Sequence, residues 1–239
     1  MITLTPFQAR EEIKKYYMSL SPSDIKFTPK FQQRHYRFNI LPNHWYKVKK
    51  RITNKKSLLD LLCFYYPINV YSTVSTWLNP HMLGKRDENR DVMLGSDFLV
   101  DIDIPFMEGG REETIKVVEF LESLGYSTDV FFTGKGSQIH IYDFFTANEE
   151  ENHKLREKKC IEKMKKLTDM LLEKKFKIDA PISVDCRRIC KNIEGTITKY
   201  GTVVQRIRDI DTFKPRQVFN FQIVENKQNL GKLLKVLAR

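Results

Sequence analysis

Residues 98–104 read FLVDIDI, an apolar run that contains two aspartates two positions apart. The β-branched and aromatic side chains favour a buried strand. Because side chains alternate between the two faces of a strand, Asp101 and Asp103 project from the same face. Neighbouring carboxylates repel each other unless a cation lies between them, and Mg²⁺ and Mn²⁺ prefer carboxylate oxygens. The run therefore predicts a divalent-metal site, with an ordinary solvated strand face as the alternative.

The composition of the chain is that of a globular protein with a strong positive charge. Of its 239 residues, 41% are hydrophobic and 30% are charged, which is ordinary for a globular domain. We expect a single domain over residues 1–239 with a polar tail at 225–239. The formal net charge of +11 favours a polyanionic partner, and the alternative is a generally basic protein. The densest positive run, at residues 47–56, is either a phosphate-contacting segment or a solvated surface.

The cysteines indicate neither a disulfide framework nor a zinc site. Cys63, Cys160, Cys186 and Cys190 form no C-x-x-C pair, and no histidine lies at zinc-finger spacing. We interpret them as buried small apolar residues and predict no structural zinc. No run of about 18 apolar residues occurs, so no membrane contact is expected. The protein is expected to be intracellular, cytoplasmic in a prokaryote or nuclear in a eukaryote.

Apolar periodicity and turn residues divide the chain into helices and strands. Helices are predicted at residues 6–19, 111–124 and 149–177, with a short helix that begins at Ser57 as its N-cap. Strands are predicted at residues 34–40, 70–77, 98–104, 129–132, 138–144, 202–207 and 216–224. Residues 84–90 are predicted to form a loop, and residues 185–193 a short helix or turn. Pro181 argues against a helix at 176–182, which is predicted to be extended.

A glycine-rich loop follows the strand predicted at residues 129–132. Residues 133–137 read TGKGS, and such a loop between two strands can bring backbone N–H groups close to a phosphate. His140 lies on the next predicted strand and is a candidate donor to a phosphate oxygen, with a purely structural histidine as the alternative. The pattern predicts a phosphate-binding loop that contains Lys135.

Three separated blocks resemble, in order and spacing, the signature blocks of the archaeo-eukaryotic primase superfamily. They are Phe98–Ile104 (FLVDIDI), Thr133–Ile141 (TGKGSQIHI) and Ile178–Gly201 (IDAPISVDCRRICKNIEGTITKYG). Arg34–Phe38 (RHYRF) is also similar to an N-terminal segment of the catalytic small subunits of archaeal-type DNA primases. The likeness covers residues 10–224, nearly the whole chain.

The resemblance implies a mixed α/β (α+β) fold. The expected architecture is a primase catalytic core of two sheet-containing lobes flanked by helices, whose catalytic half has a modified RRM-like topology. The implied activity is that of a DNA primase catalytic subunit, a nucleotidyltransferase that makes short primers on single-stranded DNA from NTPs, with Mg²⁺ or Mn²⁺ in a two-metal site. An iron–sulfur-containing large subunit is the implied partner. The alternatives are a primase-polymerase of repair, plasmid or virus replication that uses dNTPs, and a non-catalytic nucleic-acid-binding module.

The resemblance also assigns roles to individual residues. The metal-site carboxylates that it implies are Asp101, Asp103 and Asp179. The nucleotide-binding residues that it implies are Arg34, Lys135, Ser137, His140, Arg188 and Lys191. Asp185 is the alternative third carboxylate because it lies six residues after Asp179.

The chain departs from the family pattern at two points. Residues 104–132 contain no cysteine or histidine, so the zinc-binding insert of primase small subunits is missing. Ile197 stands where the family has a nucleotide-contacting histidine, and Glu194 adds a negative charge to the same block. We therefore expect altered nucleotide contacts in the third block.

Overall fold

The computed structural model describes residues 2–4, 6–41, 44–83 and 92–223. Its helices are α1 (Pro6–Ser19), α2 (Lys55–Tyr65), α3 (Arg111–Ser123), α4 (Arg156–Glu173) and α5 (Ala180–Ser183). Its strands are β1 (Ile2–Leu4), β2 (Tyr36–Leu41), β3 (His44–Lys47), β4 (Asn69–Thr73), β5 (Ser75–Trp77), β6 (Met93–Ile102), β7 (Asp129–Phe132), β8 (Ser137–Thr146), β9 (Ile189–Cys190), β10 (Gln205–Ile207) and β11 (Phe221–Ile223). The loop predicted at 84–90 and the tail predicted at 225–239 lie outside the described residues. No helix within the described ranges is long and apolar enough to cross a membrane.

The five-stranded sheet has the order β10-β7-β8-β6-β5, and all its neighbouring strands are antiparallel. Along the chain, β6-α3-β7-β8-α4 is a split βαβ arrangement, because β8 lies between β6 and β7. Strand β5 precedes β6 in the chain and occupies the edge position where an RRM has its last strand. This is the modified RRM-like topology that the sequence predicts.

One face of the five-stranded sheet packs against helices α3 and α4. Phe98, Val100 and Ile102 of β6 are fully buried on this face, as their alternation along the strand requires. They belong to one apolar cluster together with Val117, Leu121, Ile139, Ile141, Cys160, Met164, Leu167 and Leu171. This cluster fixes β6 and its aspartates against a rigid layer of helices.

The opposite face of the five-stranded sheet carries polar and aromatic side chains in register. Asp101 pairs with Gln138, Gln138 with Phe131, and Phe131 with Arg206. Paired residues of antiparallel strands lie on the same face. The four side chains therefore form one row from β6 to the edge strand β10, about 15 Å long at roughly 4.8 Å per strand.

A four-stranded antiparallel sheet of order β3-β2-β4-β9 forms the second lobe. Its inner face contributes to a second core with residues of α1 and α2, which includes Ile13, Tyr17, Tyr36, Phe38, Leu58, Leu62, Val70, Ile193 and Ile197. Strands β1 and β11 form a separate parallel pair. Two sheets with helices outside them are thus present, as predicted.

The prediction of a single strand at residues 70–77 is wrong, because the chain passes from one sheet to the other at Val74. Strand β4 belongs to the four-stranded sheet and β5 to the five-stranded sheet. The backbone N–H of Val74 donates to Arg188, and its carbonyl accepts from Asp97. This one residue therefore connects the two lobes, a role that a continuous β-branched run does not reveal.

Two helices begin at positions other than those predicted. The N-cap of α2 is Asn54, whose side chain accepts a hydrogen bond from the N–H of Ser57, so Ser57 completes the capping box from inside the helix. Helix α4 begins at Arg156 and not at 149, because the Glu149 carboxylate accepts from the N–H of Thr146 in a separate short turn.

In the C-terminal third, the structure differs from three further predictions. Pro181 lies inside helix α5, where the first turn requires no N–H from it. Residues 189–190 form strand β9 and not a helix. Within the ranges 202–207 and 216–224, the described residues that form strands are Gln205–Ile207 and Phe221–Ile223, so both strands are shorter than predicted.

Candidate active site

Three carboxylates converge at the C-terminal end of β6. One oxygen each of Asp101, Asp103 and Asp179 lies within 4.8 Å of the others. Asp101 is buried, Asp103 is exposed one residue beyond the strand, and Asp179 is half-buried before α5. The N–H of Asp179 donates to the carbonyl oxygen of Asp101 at 3.0 Å. This bond holds the two distant segments together.

The carboxylate cluster carries more negative charge than the protein around it neutralises. The pKa of Asp101 is raised to about 6, mainly by burial and also by the negative charges of Asp103 and Asp179, although a hydrogen bond from Gln138 lowers it. A divalent cation would remove this repulsion, and an all-carboxylate set suits Mg²⁺ or Mn²⁺. The three residues therefore fit a hard divalent metal.

Asp185, the alternative third carboxylate, lies outside the cluster. It is exposed, and its side chain accepts a hydrogen bond from the N–H of Arg187 at 2.9 Å. The choice of Asp179 in the sequence analysis thus agrees with the geometry of the described residues.

Lys191 lies beside the carboxylates. Its ammonium group donates to the carbonyl oxygen of Thr133 at 3.2 Å, and its N–H donates to the side-chain oxygen of Gln138 at 3.3 Å. Burial, followed by the positive charge of Lys199, lowers the pKa of Lys191 to about 8, although Asp101 and other carboxylate charge raise it. The structure thus places one predicted nucleotide-binding cation next to the candidate metal ligands.

Arg188 and Lys135 provide two more positive charges near this end of the sheet. Arg188 is exposed, and its charge lowers the pKa of Asp101. Lys135 is exposed at the tip of the glycine loop, and its carbonyl oxygen accepts from the N–H of Phe106 at 2.8 Å. Both side chains are accessible to a phosphate.

The glycine loop lies tightly against the end of β6. A Cβ atom on Gly136 would be 2.0 Å from the carbonyl oxygen of Ile102, and one on Gly134, whose φ is +109°, would be 2.5 Å from the hydroxyl of Thr198. Only glycine fits these approaches. The loop is thereby fixed directly beside Asp101 and Asp103.

Ser137 does not face the phosphate side of this loop, contrary to the prediction. Its hydroxyl is 2.6 Å from that of Thr114 in α3 and is buried. Ser137 pairs with Ile102 across the sheet, whereas Gln138 pairs with Asp101. The alternation of strand side chains therefore places Ser137 on the helix-covered face.

His140 shares the face of Asp101 but is covered. It is fully buried, and its ring contacts Phe131 edge-to-face with centroids 5.3 Å apart. Burial lowers its pKa to about 3, so the ring is neutral at physiological pH. In this structure the side chain is not accessible to a phosphate, which favours the structural alternative for this histidine.

Arg34, also predicted as a nucleotide ligand, is 2% exposed and bound within the protein. Its guanidinium donates to the carbonyl oxygens of Pro29, Thr73 and Val74 and forms a 2.7 Å ion pair with Asp97 of β6. The side chain therefore connects the second lobe to the five-stranded sheet and does not point to a free nucleotide.

The altered third block has a structural explanation. Ile197 is 1% exposed in the core of the second lobe, so an apolar residue is required there. Glu194 forms a 3.4 Å ion pair with Lys26 beside a cleft of about 480 Å³, which is also lined by Arg206 and Arg208. Its negative charge is therefore engaged away from the candidate metal ligands.

Sequence reasoning missed Asp97 and Gln138. Asp97 lies two positions before Leu99 and four before Asp101. The alternation of side chains along a strand, which puts Asp101 and Asp103 on one face, would therefore have placed Asp97 on that face too. Gln138 hydrogen-bonds to Asp101 and to the backbone of Lys191. No sequence pattern distinguishes this glutamine, because its role depends on the register between β6 and β8.

The fold is shared with a known polymerase domain. No family model and no curated protein matches the chain, but 31 chains of solved structures do. One is the polymerase domain from Mycobacterium tuberculosis Ligase D in complex with DNA, with a TM-score of 0.55, 12% identity, and coverage of 98% of this chain and 92% of that chain. The predicted mixed α/β fold with two sheet-containing lobes is therefore confirmed, and it is shared with this polymerase domain.

Proposed function

We propose that this chain is a metal-dependent nucleotidyltransferase that synthesises short primers on single-stranded DNA. The observation that carries the proposal is the carboxylate cluster of Asp101, Asp103 and Asp179 beside the cation Lys191, in a fold shared with a polymerase domain. Oxygen ligands for a divalent metal and positive charge for a triphosphate are the two requirements of phosphoryl transfer that a protein supplies.

The residues of the cluster divide into metal ligands and phosphate contacts. Asp101, Asp103 and Asp179 would hold divalent metal. When bound, Mg²⁺ or Mn²⁺ would activate a primer 3′-hydroxyl and neutralise triphosphate charge. Lys191 and Lys135 would bind phosphate oxygens and hold the triphosphate for in-line attack. Phosphoryl transfer depends on such positioning and charge neutralisation more than on a side-chain nucleophile.

Nucleic acid is the proposed polyanionic partner. The net charge of +11 supports it, and the structural neighbour was solved in complex with DNA. The finer assignment, a DNA primase catalytic subunit that works with an iron–sulfur large subunit in replication, rests on the sequence resemblance. The first and third of the similar blocks support it because they contain the three clustered carboxylates.

A second candidate is a primase-polymerase that uses dNTPs for repair or for plasmid or virus replication. The neighbour's description as the polymerase domain of a ligase favours it. The clustered carboxylates favour either catalytic function over a non-catalytic nucleic-acid-binding module, since a module without turnover needs no buried charge at this position.

Incorporation of labelled nucleotides on a single-stranded DNA template tests the proposal. Purified protein is incubated with NTPs or dNTPs in Mg²⁺, in Mn²⁺ or in EDTA, without and with a candidate large subunit. We expect metal-dependent, template-dependent products from NTPs. Faster extension with dNTPs would favour the second candidate. DNA binding without product under every metal and nucleotide condition would contradict both.

A further inference from the structure

The outer face of the four-stranded sheet carries aromatic side chains next to the candidate active site. The rings of Trp45 and Tyr71 have centroids 5.1 Å apart. Tyr71 and Tyr200 flank the ammonium of Lys191 at 5.7 and 5.9 Å. Trp45 is 51% exposed and Tyr200 is 43% exposed. We call Trp45, Tyr71 and Tyr200 the aromatic platform.

The strand register explains why the aromatic platform is on the outside. Arg37 of β2 pairs with Lys47 on one neighbouring strand and with Tyr71 on the other, so these three share one face. Tyr36 and Phe38 point to the other face, where both are buried in the core. Alternation thus gives the sheet an apolar inner face and an aromatic, cationic outer face.

Two exposed cations lie at the aromatic platform. Lys199 lies over the ring of Tyr200 at 5.2 Å, and Arg37 is exposed on the same sheet face. Among the described residues, no ion pair engages Arg37 or Lys199. Lys191 connects the platform to the carboxylate cluster, because the charges of Asp101 and Asp103 act on it.

Exposed rings interspersed with cations match the chemistry of an unpaired nucleic-acid strand. Each base has an apolar face that stacks on an aromatic ring, and each phosphate pairs with a cation. Bases in a duplex are already stacked and paired, so a stacking surface favours a single strand. Arginine and lysine beside the rings also disfavour a cationic partner.

We propose that the aromatic platform binds a single-stranded nucleic acid, with bases stacked on Trp45 and Tyr200 and phosphates bound by Arg37 and Lys199. The bound strand continues past Lys191 toward the carboxylate cluster. That continuation rests on the proposed function, whereas the binding itself requires neither metal nor nucleotide.

The intrinsic fluorescence of the protein tests the contact directly. The chain has two tryptophans, and Trp77 is fully buried while Trp45 is exposed. We expect a thymidine oligonucleotide, titrated in EDTA without nucleotides, to quench the Trp45 part of the emission saturably. Duplex DNA of equal phosphate concentration should quench much less. Equal quenching by both, or none by the oligonucleotide, would overturn the proposal.

Substitutions then locate the site by anisotropy of a labelled oligonucleotide. Trp45→Ala and Tyr200→Ala should each weaken binding about tenfold, the loss expected for one stacked base. The control is Phe64→Ala, an aromatic residue of α2 that is 70% exposed outside the platform and should bind as wild type. Circular dichroism confirms that each variant is folded. Wild-type affinity of both platform variants would contradict the proposal.

The two proposals can fail separately. Oligonucleotide binding in EDTA without nucleotides reports on the platform alone, because neither metal binding nor nucleotide transfer takes place under these conditions. If binding depends on the platform but no nucleotide is incorporated, the proposed function is contradicted and the proposal of the aromatic platform is supported. If nucleotide is incorporated but Trp45→Ala and Tyr200→Ala bind as the wild type does, the proposed function is supported and the proposal of the aromatic platform is contradicted.

Discussion

At the scale of the residue, the buried carboxylate of Asp101 destabilises the metal-free fold. Its pKa is raised to about 6, first by burial and then by the charges of Asp103 and Asp179. A carboxyl whose pKa is higher in the folded than in the unfolded state destabilises the fold when ionised. That cost is fully present above pH 6 and disappears below the unfolded pKa.

Replacing Asp101 with asparagine should therefore stabilise the metal-free protein. The amide keeps the shape but carries no charge, so we expect the free energy of unfolding at pH 7.5 in EDTA to rise by about 2–3 kcal/mol. Added Mn²⁺ should stabilise the wild type and not the variant. Urea unfolding with and without Mn²⁺ measures both effects, and a destabilised Asp101→Asn protein in EDTA would contradict this account.

The buried ion pair of Arg34 and Asp97, unlike the charge of Asp101, is expected to stabilise the fold. Both side chains are at most 2% exposed, so removal of one partner leaves a buried charge unpaired. Asp97→Ala should reduce the free energy of unfolding by about 3–5 kcal/mol. The double variant Arg34→Met, Asp97→Ala should recover part of that loss, as measured by urea unfolding.

The matched control for the buried pair is Glu162→Ala, which removes a partner from the exposed 3.9 Å pair with Lys159. Its stability should equal that of the wild type. If Asp97→Ala were no less stable than this control, Arg34 would not need its partner, and the connection between the lobes would lie elsewhere.

At the scale of the element, the glycine loop and the end of β6 form one rigid unit. A side chain on Gly136 would overlap the carbonyl oxygen of Ile102, which lies between Asp101 and Asp103 in sequence. Gly136→Ala should therefore displace the end of β6, destabilise the protein by about 2 kcal/mol or more, and weaken Mn²⁺ binding in calorimetry.

Gly125 provides the control for Gly136. Its φ is +87°, but a Cβ atom there meets nothing within 4 Å. Gly125→Ala should cost only about 1 kcal/mol of backbone strain and leave the Mn²⁺ affinity unchanged. Equal Mn²⁺ affinities for the two alanine variants would show that the loop does not hold the metal site in place.

Elements with a strong local sequence pattern were predictable. Elements whose ends depend on contacts with the other lobe were not. The helix at 6–19 and the strand at 129–132 have the predicted bounds, because residues within and next to each segment, such as Pro6 and Gly134, mark where it begins or ends. The division between β4 and β5 depends on hydrogen bonds from Val74 to Arg188 and from Asp97 to Val74. The β-branched sequence at residues 70–77 does not indicate these distant hydrogen-bond partners.

The candidate site was predictable to a similar extent. Period-two spacing identified Asp101 and Asp103, and the family resemblance added Asp179, which the fold brings within reach. The resemblance placed Ser137 in the phosphate-facing loop, but Ser137 is the first residue of β8 and points to the helix-covered face. The burial of Arg34 and His140 depends on how the two lobes pack, and no single segment of sequence shows it.

At the scale of the whole molecule, stability should fall as the pH is lowered from 6.5. Burial lowers the pKa of His140 to about 3 and that of His35 to about 4. The unfolded chain binds protons at these sites below pH 6.5 and the folded chain does not, so stability is lost as the pH falls. Asp101 acts in the opposite direction between pH 6 and 3.8, and so does Asp97, whose pKa is also raised by burial.

Between pH 6 and 4, the unfolded chain takes up a proton at His140 that the folded chain does not. This uptake alone should lower the free energy of unfolding in EDTA by about 1.4 kcal/mol per pH unit. In His140→Phe, which keeps a buried ring of similar size, the slope should differ from that of the wild type by about this amount. Urea unfolding at pH 6.0, 5.0 and 4.0 gives both slopes, and equal slopes would show that His140 is protonated in the folded state.

The central claim is that Asp101, with Asp103 and Asp179, makes this molecule a metal-dependent nucleotidyltransferase. It is tested most directly by template-dependent nucleotide incorporation in Mn²⁺ by the wild type, Asp101→Asn and Asp185→Asn, all shown to be folded. Asp185→Asn, an exposed aspartate outside the cluster, should retain the wild-type rate, and Asp101→Asn should lose roughly 100-fold or more. A wild-type rate for Asp101→Asn would contradict the claim.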